Sequence, residues 1–154
     1  MNITPCLWFD TQALDAANYY TALFPNSEIK NISYYREWNK HGTPGAVMMV
    51  VFSLNGNIFK ALNGWPIFKH SPAVSWVIPC KTQKEVDHYW AALSRVPAAE
   101  QCGWVCDQFW ISWQIVPDIL GQLLTKDTSG RVMQAMLSMK KLDIEKLEQA
   151  YSNK

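Results

Sequence analysis

The hydrophobic and polar positions of the first 70 residues alternate in short segments that predict strands, with one segment of helical periodicity among them. The predicted elements are a strand at 3–9, a helix at 13–24, and strands at 28–35, 46–54 and 57–62. Asn55-Gly56 separates the last two strands and predicts a tight hairpin, because both residues tolerate a positive φ. The order is therefore β-α-β-β-β.

The same order of elements then begins again. A strand is predicted at 73–80, a helix at 82–93, and two more strands at 101–107 and 109–116. Thr82 followed by Glu85 is a capping box, which marks the start of the second helix. We interpret the chain as a single domain, 1–154, made of module one (about 1–68), module two (about 72–117) and a helical tail (118–154).

The tail has helical patterns at 118–124, 130–140 and 143–151. In the middle pattern Val132, Met133, Met136 and Met139 form an apolar stripe. A stripe of this kind is usually core or a dimer contact and seldom a cofactor site. We therefore predict a homodimer, with the tail helices as the candidate contact.

Composition excludes several classes of protein. The chain is 49% apolar and 18% charged, as in globular proteins, and its net charge of +1 is spread without the basic face that nucleic-acid binding needs. The longest apolar run, 46–52, is far short of the ~20 residues that cross a bilayer. The N-terminus does not resemble a signal peptide, so we expect a cytoplasmic protein with no nucleic-acid or membrane partner.

The four cysteines do not have the spacing of a metal or redox motif. Cys102 and Cys106 form C-x-x-x-C, and on one strand they would stand ~13 Å apart. Cys6 and Cys80 lie far away in the sequence. We interpret all four as reduced structural residues.

Several segments resemble the PhnB-like branch of the vicinal oxygen chelate superfamily, which includes glyoxalase I, bleomycin-resistance proteins and extradiol dioxygenases. They are ITPCLWFDTQALDAANYYTALFPNS, FKALNG, CKTQKEVDHYWAAL, QCGWVCDQFWISWQIVP and RVMQAMLSMKKLDIEKLEQAY. The resemblance implies an α+β fold in which two tandem βαβββ-type modules form a curved mixed sheet around a cavity, with C-terminal helices. Thr11 and Trp110 depart from the branch, since glycine is common at both places. Members are often labelled demethylubiquinone methyltransferases, but no Gly-rich loop follows the first predicted strand to hold S-adenosylmethionine.

Metal-dependent members of the superfamily take His and Glu ligands from the first and last strands of each module, and the ion stabilises an anionic intermediate. Here the first strand has neither residue type, and the other three places offer Lys60 or Asn63, Ser75, and Gln114. The histidines, at 41, 70 and 88, are not paired at ligand spacing. We therefore predict no metal site of the glyoxalase type and no cofactor.

Gln114 is the residue that the last strand places where a glutamate ligand would fall. Alternation puts it on one face with Ser112, and the resemblance implies that this face borders the cavity. The predicted ligand-binding residues are Trp8, Asn63, Trp65, Phe68, Trp76, Trp104, Trp110, Ser112 and Gln114. Two of these residues have an equally plain structural reading: Asn63 suits a turn, and Gln114 could tie two strands together. We expect Trp113 in the core and Asp107 exposed beside a turn.

Three functions remain open on these residues. The first is a metal-free module that binds a small organic molecule in a Trp-lined cavity. The second is a metal-assisted enzyme of the superfamily, of lyase, isomerase or dioxygenase type, with atypical ligands. The third is a structural dimer whose cavity is filled by Trp110. The absence of His and Glu at the expected places favours the first over the second, whereas the excess of tryptophan does not separate the first from the third.

Overall fold

A computed structural model describes residues 3–152 and divides them into two compact units, the first ending at Lys69 and the second beginning at His70. The first unit contains β1 (Cys6–Phe9), α1 (Ala13–Leu23), β2 (Glu28–Tyr34), β3 (Val47–Leu54) and β4 (Asn57–Asn63). This is the predicted β-α-β-β-β order. The Asn55-Gly56 hairpin is also confirmed, with φ angles of 46° and 81°.

The sheet of the first unit is mixed, with the strand order β1-β4-β3-β2. β1 runs parallel to β4, and the other pairs are antiparallel. One face is covered by α1, where Tyr20 stacks on Phe52 with ring centroids 6.5 Å apart. Cys6, Trp8 and Lys60 lie on the other face, because β1 and β4 alternate in register.

The second unit begins with β5 (Trp76–Cys80), α2 (Gln83–Leu93), β6 (Trp104–Cys106) and β7 (Ser112–Pro117). Its sheet has the order β5-β7-β6, with β5 parallel and β6 antiparallel to β7. The capping box of α2 is present as predicted: Thr82 accepts a hydrogen bond from the backbone N–H of Glu85. This module therefore repeats the first one with one strand fewer.

The missing strand is replaced by the chain that follows α2. The backbone N–H groups of Arg95 and Val96 both donate to the carbonyl of Cys106, at 3.0 and 3.2 Å, so this segment contacts the end of β6 without forming a ladder. Pro97 then starts a short 3₁₀ turn, Pro97–Ala99. Proline has no N–H to give to a ladder, so pairing stops at that point.

The tail forms three helices: α3 (Leu120–Lys126), α4 (Arg131–Leu137) and α5 (Ile144–Ser152). They enclose a small core of their own, formed by Leu120, Leu123, Val132, Leu142 and Leu147. Met136 and Met139 pack against this core. The methionine stripe is thus covered largely by its own chain, and only Met133 of the predicted stripe is exposed.

The tail is attached to the sheet of the second unit by backbone hydrogen bonds. The N–H groups of Cys102 and Gly103 donate to the carbonyls of Met139 and Lys140, at 2.8 and 2.7 Å. The side chain of Gln83, at the start of α2, accepts from the N–H of Ile144 at 2.9 Å and so caps α5. Within residues 3–152, no helix is long and apolar enough to cross a membrane.

Candidate functional site

Gln114 lies in the middle of β7, on the face of the sheet opposite to the buried Trp113 and Ile115. Its Nε2 donates a hydrogen bond to the hydroxyl of Ser75, at 2.8 Å, just before β5 begins. Among residues 3–152, its Oε1 has no hydrogen-bond partner. The amide therefore ties two strands together and still presents one free acceptor.

Two further predicted residues share this face of the second unit. Trp104 is the register partner of Gln114, and Ser112 pairs with Cys106 two residues along the same two strands. A cavity of about 380 Å³ lies beside Trp104 and Ser112, and Gln114 and Ser75 are not part of its lining. Its lining is formed by Pro72, Ala99, Gln101, Trp104, Val105 and Ser112. Trp104 and Ser112 thus border a space that is large enough for a small organic molecule.

Trp76 does not join this group. It is the register partner of Trp113 across the parallel pair, and partners in a ladder point to the same side of the sheet. Trp113 is only 3% exposed, which confirms the expectation that it belongs to the core. Trp76 therefore lies on the face opposite to Gln114.

Trp110 lies in the turn before β7, with a φ of 66° and 63% of its surface exposed. Its N–H donates to the carbonyl of Asp107 at 3.1 Å and closes the turn. The positive φ is one that glycine adopts more readily, which agrees with the glycine that the resemblance implies at this place. A side chain this exposed does not plug a cavity of its own chain.

The expectation that Asp107 is exposed is wrong. Its side chain is fully buried and accepts three hydrogen bonds, from the N–H groups of Phe109 and Ile111 and from the indole of Trp113. The sequence held one signal of this burial, because Asp107 stands just before the aromatic segment that leads into β7. A carboxylate buried there is usually hydrogen-bonded. Asp107 therefore organises the turn and is not placed to act as a base.

The first unit brings together three other predicted residues. The indole of Trp8 donates to the carbonyl of Trp65 at 2.8 Å, and its ring meets Phe68 edge-on with centroids 5.0 Å apart. The ring of His41 lies 5.0 Å from that of Trp65. Gly64 allows this packing, because a Cβ there would stand 2.0 Å from an atom of the Trp8 ring.

Asn63 ends β4 and is almost completely buried. Its Oδ1 accepts from the N–H of Ala13 at 2.8 Å, and its Nδ2 donates to the carbonyl of Val47 at 3.0 Å. The first bond caps α1, whose own N-cap residue, Gln12, makes no side-chain bond. Both ends of the amide are therefore engaged within the first unit.

The structure was also searched for side chains that could hold a metal ion. In the part of the chain that the structure describes, no three His, Cys, Asp or Glu side chains lie close enough together to hold an ion. His88, on α2, packs edge-on against Tyr89 with centroids 5.1 Å apart. His41 belongs to the aromatic group described above.

All four cysteines carry free thiols. Burial raises the pKa of the Cys80 thiol to about 12, with Glu85 and Asp118 adding to the effect. Burial also raises the pKa of Cys6, although the ammonium of Lys60 lowers it in part. A thiol whose pKa is raised is protonated at neutral pH and is a weak nucleophile.

Comparison with known proteins identifies the family. Residues 1–116 match the sequence model of the family described as 3-demethylubiquinone-9 3-methyltransferase. The chain belongs to this family. It is 32% identical to the solved structure of a putative 3-demethylubiquinone-9 3-methyltransferase, PhnB protein, from Bacillus cereus, with a TM-score of 0.64, covering 76% of this chain and 99% of that one.

A more distant solved structure has the same fold. Protein PA1353 from Pseudomonas aeruginosa is 14% identical, with a TM-score of 0.59, over 77% of this chain and 98% of that one. None of the proteins with curated descriptions matches this chain. The matched family region ends at residue 116, just before α3, so the tail helices lie outside it.

Proposed function

We propose that this protein binds a small, flat organic molecule through Gln114, Ser75 and Trp104, without the metal site of the vicinal oxygen chelate superfamily. The observation that carries the proposal is the Gln114–Ser75 hydrogen bond of 2.8 Å, which leaves Oε1 of the glutamine without a partner among residues 3–152, on the same face as Trp104. An amide is a neutral group that orients a ligand and cannot transfer a proton. Recognition therefore fits this place better than acid–base catalysis.

The polar groups of this site favour a particular kind of ligand. Ser75 accepts from Gln114 and so keeps its own O–H for donation, while Oε1 of Gln114 is an acceptor. The pair thus offers one donor and one acceptor side by side. A primary or secondary amide, or a carbonyl compound with a neighbouring hydroxyl, would match both, and its flat body would lie against the indole of Trp104.

Methyl transfer, the activity in the family's description, is not the function that these residues favour. β1 leads into α1 through Asp10, Thr11 and Gln12, without a glycine. A nucleotide-type cofactor held at the start of a helix usually needs glycines there for close approach of the backbone. We therefore propose ligand binding in its place.

The aromatic group of the first unit is a candidate recognition surface of its own, proposed independently of the Gln114 site. Trp65 and Phe68 are both exposed, and Trp8 holds them through one hydrogen bond and one edge-on ring contact. Exposed aromatic rings in fixed positions offer stacking area at low entropic cost. In this proposal Asn63 acts indirectly, by fixing the end of β4 from which this group extends.

The proposal retains a cytoplasmic homodimer and a single domain of the superfamily. The sequence argument for the dimer is weakened, because Met136 and Met139 pack on the tail's own core. Met133 and Leu137 support it instead, since they lie one turn apart on α4 and are both exposed.

The proposed function is tested by measuring what the purified protein retains. Protein purified without a tag or harsh washing is denatured, and the released small molecules are measured by liquid chromatography and mass spectrometry. We expect an organic compound near stoichiometry in wild type and a loss of tenfold or more in Gln114→Leu, because one buried polar contact is worth about a factor of ten.

The control is Gln122→Leu, which changes an exposed glutamine on α3. It should retain the compound as wild type does. Equal retention by Gln114→Leu and wild type would contradict the assignment of this site.

A further inference from the structure

A groove of about 560 Å³ lies along β2, the edge strand of the first unit, and under the turn that follows it. It is lined by Asn31, Ile32, Ser33, Tyr34, Tyr35, Arg36, Trp38, Asn39 and Met48. We call it the β2-edge groove. Its volume is within the range of pockets for small molecules, and none of its residues belongs to the predicted site.

The polar groups of the groove divide into engaged and unengaged ones. The side chain of Asn39 is engaged, with the N–H of His41 donating to its Oδ1 at 3.0 Å and its Nδ2 donating to the sulfur of Met48 at 3.9 Å. Ser33 donates weakly to the carbonyl of Met49, at 3.4 Å. These contacts hold the walls of the groove.

Four other side chains of the lining have no partner among residues 3–152: the guanidinium of Arg36, the indole N–H of Trp38, the amide of Asn31 and the hydroxyl of Tyr34. The first two groups can only donate hydrogen bonds. The other two can donate as well. The two donor-only groups, on Arg36 and Trp38, favour a ligand that carries a hydrogen-bond acceptor.

The charge of the groove points the same way. Arg36 is its one charged lining residue, and no carboxylate lines it. Arg36 takes part in no ion pair among the described residues. Lys30, on β2, is by contrast paired with Glu28 on the same strand. Glu37 follows Arg36 in the chain but neither pairs with it nor lines the groove. A guanidinium without a counter-ion is a ready partner for a carboxylate, which it can bind with two parallel hydrogen bonds.

Two aromatic side chains give the groove an apolar surface. Trp38 is 79% exposed, and Tyr34 is also exposed, at 51%. The two side chains line the same groove, so together they form an exposed apolar surface and not a single exposed residue. Their rings would cover the flat body of a ligand whose charged end lies at Arg36.

The segment that carries these residues is fixed in place before any ligand arrives. The N–H of Asn39 donates to the carbonyl of Arg36 at 2.9 Å and closes the turn. Tyr35, between Tyr34 and Arg36, is buried and donates its hydroxyl to the carbonyl of Asn63. An ordered segment of this kind loses little entropy when it binds a ligand.

We propose that the β2-edge groove binds an organic carboxylate with a flat apolar body, the carboxylate contacting Arg36 and the body lying against Trp38 and Tyr34. This proposal does not depend on the proposed function, which concerns Gln114 in the second unit. The two sites also favour ligands of different charge.

The test is isothermal titration of the full chain with 2-naphthoate as the probe and 2-naphthamide as its neutral counterpart. We expect saturable binding of 2-naphthoate. Its dissociation constant should be at least tenfold lower than that of 2-naphthamide measured with the Gln114→Leu variant. Arg36→Gln should weaken 2-naphthoate binding tenfold or more, because a hydrogen-bonded charge pair is worth at least that factor. Trp38→Ala should weaken the binding of the same probe by a similar factor.

Arg95→Gln is the matched control, since Arg95 is an exposed arginine of the second unit. It should bind 2-naphthoate as wild type does, and so should Gln114→Leu. The proposal is overturned if 2-naphthoate shows no saturable heat, if Arg36→Gln binds it as wild type does, or if Arg95→Gln weakens it equally. Displacement of 2-naphthoate by equimolar inorganic phosphate would also overturn it, since the groove would then be a general anion site.

Discussion

The indole Nε1 of Trp113 donates a hydrogen bond of 2.7 Å to Oδ2 of Asp107, inside the second unit. The other carboxylate oxygen accepts from the N–H groups of Phe109 and Ile111, at 2.8 and 3.0 Å. One buried carboxylate thus fixes both the turn before β7 and the largest side chain that β7 buries. The strand that carries Gln114 depends on this arrangement for its position.

We predict that Asp107→Asn destabilises the protein. The asparagine can accept from the two backbone N–H groups, but its NH₂ group then faces the indole N–H, so two donors meet in a buried place. The free energy of unfolding should fall by about 2–3 kcal/mol, measured by urea denaturation. Asp118→Asn, at an exposed position, should change it by less than about 0.5 kcal/mol. Equal effects of the two changes would show that the buried carboxylate has no special role.

A second prediction concerns the close contact between Gly64 and Trp8. Gly64→Ala places a methyl group 2.0 Å from the indole ring, so the ring must move and its hydrogen bond to Trp65 must lengthen or break. We expect a loss of about 1–3 kcal/mol in unfolding free energy. Gly121→Ala is the control, because nothing lies within 4 Å of its Cβ in α3. That change should stabilise the protein by about 0.5–1 kcal/mol, and a stabilising Gly64→Ala would contradict the packing described here.

A third prediction uses the backbone of Trp110. The left-handed conformation costs a residue with a side chain about 1–2 kcal/mol, and it costs glycine almost nothing. The comparison is between Trp110→Gly and Trp110→Ala, since both variants lose the same exposed indole. The glycine variant should be the more stable one by about 1 kcal/mol in thermal or urea unfolding. If the alanine variant were equally stable, the turn would not have the φ of 66°.

A fourth prediction follows from the thiol of Cys80. Its pKa in the folded protein is about 12, against an ordinary value of 9.0, so the folded state holds this proton where the unfolded state has lost it. Stability from this group is therefore complete below pH 9 and falls as the pH rises towards 12. Between pH 7.5 and pH 10, wild type should lose about 1 kcal/mol more unfolding free energy than Cys80→Ala. Other ionisations are common to both proteins, and an unchanged difference between them would show that the thiol titrates normally.

The elements of the fold were readable from the sequence because their signals are local. Alternating apolar residues, Thr82 with Glu85, and Asn55 with Gly56 each specify a strand, a helix start or a turn within a few residues. The α+β fold class, with two tandem modules and C-terminal helices, followed from these signals together with the family resemblance, which implied one curved sheet where the structure has two.

The candidate site was readable only in part, because its geometry depends on register and on distant partners. Alternation placed Gln114 and Ser112 on one face, but the partner of Gln114 is Ser75, 39 positions earlier in the chain. Trp76 lies on the opposite face because of a parallel register that no local pattern reveals. The β2-edge groove was missed because Arg36 and Trp38 resemble ordinary loop residues until the absence of partners is seen in three dimensions.

The central claim is that this chain binds an organic molecule without a metal ion, and native mass spectrometry of gently purified, untagged protein tests it most directly. One spectrum reports the mass of the assembly, any bound ion and any retained ligand. We predict a dimer that carries an added organic mass and no divalent ion. One divalent ion per chain, removed by a chelator together with an enzymatic activity, would contradict the account and make Gln114 part of a metal site.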